Sequence, residues 1–185
     1  MRKLLCALSL MSALVLTLAV HAAAPANFGG TWTLDKSKSQ GLNPRQQNAD
    51  SVSWVITQTD KEITIDEKIT GGNPPAGGPG GPGGPGGGGG RGMGGGFGGP
   101  RTYNLDGSET SSENERGKTV RKATVSGDGK TIEMTSKSTF NGPNGEITLN
   151  SSDKLVLSGD GKVLTVSRHS ESPRGTQDST LVFNK

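Results

Sequence analysis

Thr131-Ile-Glu-Met-Thr-Ser-Lys-Ser-Thr-Phe140 alternates residue by residue. Ile132, Met134, Ser136, Ser138 and Phe140 fall on one side, and Glu133, Thr135, Lys137 and Thr139 on the other. Period two marks a β-strand, because successive side chains point to opposite faces. The next run does the same: Glu146 to Leu157 groups Ile147, Leu149, Ser151, Asp153, Leu155 and Leu157. Val163 to Arg168 groups Leu164, Val166 and Arg168, and Leu181 with Phe183 marks a last strand. Upstream, Ser53 to Thr57 and Glu62 to Asp66 are short β-branched runs. No window carries the i, i+3, i+4, i+7 pattern of a helix over three turns.

The punctuation agrees. Asp106-Gly107, Asp128-Gly129 and Asp160-Gly161 are turn dipeptides, and Asn141-Gly142 and Asn144-Gly145 read as two more. Ser126-Gly-Asp-Gly-Lys130 recurs as Ser158-Gly-Asp-Gly-Lys162, each copy ahead of an apolar alternation. The expectation is an all-β protein of about eight or nine strands in antiparallel meander order. Such a meander must cover its apolar face and hide its edges, and closure into an up-and-down barrel does both. A two-sheet β-sandwich is the alternative.

The averages of composition, 29 % hydrophobic with 31 Gly and 10 Pro among 185 residues, mix three unlike segments. Residues 1–22, MRKLLCALSLMSALVLTLAVHA, read as a signal peptide. Arg2 and Lys3 supply the positive start, Leu4 to Val20 the apolar stretch, and Val20-His21-Ala22 the small-residue cleavage site. An uncleaved anchor is the other reading, since the apolar run of about 17 residues is at the short limit for spanning a bilayer. Cleavage after Ala22 predicts a periplasmic or secreted chain, 23–185, with no membrane span. Cys6 leaves with the leader, so the mature chain has no disulfide. Residues 71–100 are almost wholly Gly and Pro and cannot build a core; they read as a disordered loop inserted in the domain.

The net charge of +3 misleads. Arg2 and Lys3 belong to the leader and Arg91 to the Gly-rich tract, and without them the two signs balance. No basic field exists to draw nucleic acid or an anionic membrane. Beyond the leader His169 is the one histidine, so a zinc site of His and Cys ligands cannot be assembled. Phosphate-loop, dinucleotide and nucleophile-elbow motifs are absent. The expectation is a protein that is no enzyme and holds no cofactor.

Arg168 is the anomaly. It shares parity with Leu164 and Val166, so it points inward, where a guanidinium needs a partner. It either binds a ligand carboxylate, with Tyr103, Ser136 and Ser138 as further donors, or it pairs with Asp153 or packs on Trp32. Trp54, Met134 and Phe140 would line the interior, either around a ligand or simply as core.

A resemblance adds to this. Asn27-Phe-Gly-Gly-Thr-Trp-Thr-Leu-Asp35, with Gly30-Thr31-Trp32 inside it, resembles the G-x-W opening strand of lipocalin-like proteins. Together with Tyr103-Asn-Leu-Asp-Gly107, the two SGDGK hairpins and Val182-Phe-Asn-Lys185, it is similar to exported bacterial lipocalin-like proteins of unassigned activity. The resemblance implies a small barrel whose interior holds a small apolar or amphipathic ligand. The alternative is a structural or interaction module of the cell envelope with a filled barrel.

Overall fold

Every alternating run becomes a strand, and so do more polar runs between them. The structure, a computed structural model, describes residues 25–71, 99–114, 117–142 and 145–185. The leader with Cys6, most of the Gly/Pro tract and residues 115–116 and 143–144 lie outside the described residues. The strands are β1 (Gly30–Leu34), β2 (Ser51–Gln58), β3 (Glu62–Thr70), β4 (Arg101–Asn104), β5 (Thr110–Asn114) and β6 (Gly117–Val125). They continue as β7 (Thr131–Gly142), β8 (Gly145–Leu157), β9 (Val163–Ser172) and β10 (Gly175–Asn184).

All ten lie in one sheet, ordered β4-β3-β2-β1-β10-β9-β8-β7-β6-β5, and all pairings are antiparallel. Each strand neighbours its successor except at one seam, and β1 joins β10 through Thr33 with Asn184 and Leu34 with Phe183. At the seam β4 comes close to β5 and β6 without a ladder. The Thr110 hydroxyl donates to the Thr102 carbonyl at 3.0 Å, and Asp106 bridges Thr124. The result is an all-β, nearly closed up-and-down barrel. The sandwich alternative is not formed, because the sheet is continuous. The count exceeds eight or nine because β4, β5 and β6 carry little apolar alternation.

Burial follows the alternation read from the sequence. Ile132 and Met134, Leu155 and Leu157, Leu164 and Val166, and Leu181 and Phe183 are all buried, while Glu133, Lys154 and Ser167 are exposed. Trp32, Trp54, Phe28, Ile63 and Ile65 complete a single core inside the wall.

The two SGDGK turns are the same structure twice. Ser126 N–H donates to the Thr131 carbonyl and Ser158 N–H to the Val163 carbonyl, both at 2.9 Å. In each, the serine hydroxyl donates to the Asp carboxylate, which also accepts the lysine N–H, at 3.0 Å for Lys130 and 3.1 Å for Lys162. The serine oxygen in turn accepts the N–H of Thr131 or Val163. Gly129 and Gly161 sit at φ 71° and 70°, the left-handed region where a side chain is disfavoured. Asn141-Gly142, by contrast, is not a turn. Both residues lie in β7, and the ladder runs on to pair Gly142 with Gly145. The inward pairing of Phe140 with Ile147 fixes that register and carries the chain two residues past the turn signal.

A helix too short for periodicity to reveal, α1 (Pro44–Asn48), connects β1 to β2. Asn43 caps it: its side chain accepts the Gln46 N–H at 2.9 Å, and the Gln46 side chain accepts the Asn43 N–H at 3.3 Å. Lys36 donates to the carbonyls of Gln47 and Ala49 at the other end. Buried Gln46 donates to Glu67 on β3, which ties the helix to the barrel end where β2 begins and β3 ends. No helix among the described residues is long and apolar enough to cross a membrane.

Candidate ligand site inside the barrel

Along the inward face the chemistry changes with height. Near the SGDGK turns the interior is apolar, with Ile132, Leu157, Leu164 and Phe183 all buried. Toward the α1 end the same rows of inward positions hold Arg121, Ser136, Asp153 and Arg168. Arg121 pairs in register with Ser136, and Asp153 with Arg168.

Arg168 grips Asp153 with two parallel bonds, Nε to Oδ1 at 2.7 Å and Nη2 to Oδ2 at 2.8 Å. The carboxylate is buried, with 4 % of its side chain exposed. The guanidinium also lies over the Trp54 ring, 5.7 Å from its centroid. Burial works against the charged guanidinium, but the Asp153 bonds more than offset it and hold Arg168 above the ordinary arginine range. Of the two structural partners expected for Arg168, Asp153 is realised; the tryptophan is Trp54 rather than Trp32. Trp32 instead meets Lys185, whose ammonium is 5.1 Å from the ring centroid.

Trp54 is the hub. It is fully buried, its ring centroid is 4.7 Å from that of Phe183, and Arg101 from β4 lies 5.3 Å from it. Two inward arginines, Arg101 and Arg121, go beyond what the alternation of apolar residues signals. Arg121 is buried and its Nη1 donates to Ser112 at 3.0 Å. Burial pushes its guanidinium down; Tyr103 opposes that and Arg101, a like charge, adds to it. Tyr103 is buried beside them. Burial pushes its phenol up, with Arg101 opposing and Asp153 assisting.

The remaining expected site residues are distributed along the wall. Ser136 shares a hydrogen bond with Ser151 at 2.9 Å, and Ser138 with Thr119 at 3.0 Å. Met134 is buried in the core opposite Asp153 in register. Phe140 is half-buried, two residues beyond Ser138 on the same strand, and pairs in register with Ile147. Arg168, Tyr103 and Trp54 therefore come together, and Ser136, Ser138 and Met134 are neighbours in the wall. Parity could have found Arg121, which alternates with Thr119 and Ala123, but those inward residues are too polar or small to raise a hydrophobic signal.

Two depressions, of about 480 and 540 Å³, are lined mostly by residues of outward parity, with Lys154, His169 and Asp178 beside Arg168 in one and Lys122, Lys137 and Asn150 beside Arg121 and Ser136 in the other. His169 joins Asp178 through Nδ1 at 2.6 Å and Glu171 through Nε2 at 3.5 Å. Those carboxylates, Asp178 first, raise the imidazole above the ordinary value of 6.5. A histidine raised on folding stabilises the native state fully below its unfolded pKa, and that contribution is lost as pH climbs through the higher native midpoint. An NMR titration should therefore place the His169 midpoint above 6.5, and Asp178→Asn should bring it down. An unchanged midpoint in the variant would show the contact is not formed in solution. Among the described residues no group of three or more His, Cys, Asp and Glu side chains is placed to hold a metal.

No known protein family's sequence profile matches the chain, and no curated protein matches it. Among solved structures the chain is similar to a zebrafish ileal bile acid-binding protein complexed with cholic acid. The identity is 13 %, the alignment covers 85 % of this chain and 98 % of that one, and the TM-score is 0.44.

Proposed function

We propose that this barrel binds a small amphipathic molecule at the end where its interior turns polar. One observation carries the reading: three arginines, Arg101, Arg121 and Arg168, gather around buried Trp54 and Tyr103 on inward positions of a nearly closed wall. Desolvating charge costs more than filling the same volume with hydrocarbon, so a barrel built only to be stable has no use for such a layer. The ligand's tail meets the apolar rows below, and its polar end meets the arginines. The chemistry proposed is binding, with no catalytic step.

A filled, structural barrel is the second reading, and the large buried side chains Trp32, Trp54, Phe28 and Phe183 favour it. Fluorescence separates the two. Trp32 and Trp54 are the chain's only tryptophans, and both are in the core. Titration with dodecanol or dodecanoate should change their emission saturably at one ligand per chain. No change up to the solubility limit of both would select the filled barrel.

The export reading belongs to the same proposal. The leader supports it, and the chain recovered from a cell envelope should begin at Ala23. The pairing of β3 with β4, from Glu62 with Asn104 to Ile65 with Arg101, supports treating 71–100 as an insertion between neighbouring strands.

A further inference from the structure

We infer that the head group of the bound molecule is an oxyanion, held by the two unpartnered buried donors Arg101 Nη2 and Trp54 Nε1. The inference rests on the binding reading above and specifies its ligand. Both atoms are buried, and neither has a hydrogen-bond partner among the described residues. They belong to touching side chains, since the Arg101 guanidinium lies 5.3 Å from the Trp54 ring centroid.

Both groups are donors only. An indole N–H accepts nothing, and neither does a guanidinium, so they cannot satisfy one another. Buried donors left open are uncommon, because each forfeits its bond to water without replacement. What satisfies them is an acceptor.

Charge decides the kind of acceptor. Both oxygens of Asp153 are taken by Arg168. Glu67 accepts from Gln46 of the helix. Among the described residues no carboxylate lies within ion-pairing distance of Arg101 or Arg121, and Arg121 ends on a neutral hydroxyl, Ser112. A ketone, ester or alcohol oxygen would take the hydrogen bonds and leave the positive charges unmatched. A carboxylate or sulfonate takes the bonds and matches the charge, and a planar carboxylate suits the forked geometry of Arg101. Tyr103, on the same strand two residues on, adds a hydroxyl that remains protonated, since its phenol is buried.

The test compares dodecanoate with dodecanol, equal in chain length and different in head group, by calorimetry on the mature chain at pH 8 and below micelle formation. Dodecanoate should bind at least about tenfold more tightly, the usual margin for a charge-assisted bond in a water-poor site. In Arg101→Gln that ratio should fall to about one. In Trp54→Phe, which keeps an aromatic six-membered ring and removes the N–H, it should fall several-fold. Lys137→Gln, on the outward face, should leave the ratio as it is. Equal affinity for acid and alcohol in the unaltered chain would overturn the oxyanion while leaving the binding barrel standing. A ratio that survives both Arg101→Gln and Trp54→Phe would overturn the site. If neither compound binds, the binding reading falls and this inference with it. Should Arg101→Gln fail to fold, Trp54→Phe alone decides, with an unchanged ratio counting against the site.

Discussion

Arg168→Leu should lower the unfolding free energy by about 3–5 kcal/mol in a denaturant titration, because it leaves the Asp153 carboxylate charged, buried and unpaired. Arg168 supplies both of the bonds that hold that carboxylate. It also lies on Trp54, so the substitution removes a cation–π contact as well. The double variant Arg168→Leu with Asp153→Leu should regain most of the loss, since an apolar pair of similar volume replaces an ion pair at little net cost. Equal losses in the single and the double variant would show that the packing of Arg168, and not its charge, is what the barrel depends on.

Trp32→Ala should cost about as much, roughly 3–5 kcal/mol, by the cavity it leaves. Trp32 is fully buried, and its Nε1 donates to the Phe28 carbonyl at 2.8 Å. Trp32→Phe separates the two contributions: most of the ring is kept, the hydrogen bond is lost, and the cost should drop to about 1–2 kcal/mol. Opposite Trp32 in register is Trp54. A cavity at position 32 therefore opens directly beside the hub of the polar layer, and dodecanoate binding should weaken in Trp32→Ala along with stability. An unfolding midpoint for Trp32→Ala close to that of the parent would mean that the opening strand contributes little to the core.

The strands are legible in the sequence wherever one face is apolar and the other is not. β7, β8 and β9 show this, and their parity alone turns Arg168, Asp153, Ser136 and Ser138 inward, where the barrel places them. The pairing of Arg168 with Asp153 is legible for the same reason, since both residues sit on adjacent strands with inward parity. β6 is not, because its inward row is Thr119, Arg121 and Ala123. Nor is β4, four residues directly after a tract of Gly and Pro, where Arg101 has only Tyr103 to share its parity. The position of Trp54 beneath two arginines depends on curvature across β4, β3, β2, β1, β10 and β9. One strand's alternation says nothing about curvature; the curved wall creates the contact.

Closure also dictates an order of assembly. β1 is held on one side by β2, close in sequence, and on the other by β10, with Asn184 reaching Asp35 across 149 positions. The run from β6 to β10 needs only hairpins, so it can zip from local contacts with short loop closures. The β1–β10 pairing joins the two ends of the barrel sequence and must wait for the last strand. Until then, β1 and the advancing end of the growing sheet are bare edges able to recruit the matching strand of another chain. A chain emerging from its first strand onward thus spends its whole synthesis with the β1–β10 pairing unmade. Substitutions that slow β10, such as Pro at Val182, should show up first as strand-exchanged dimers and only later as lost stability.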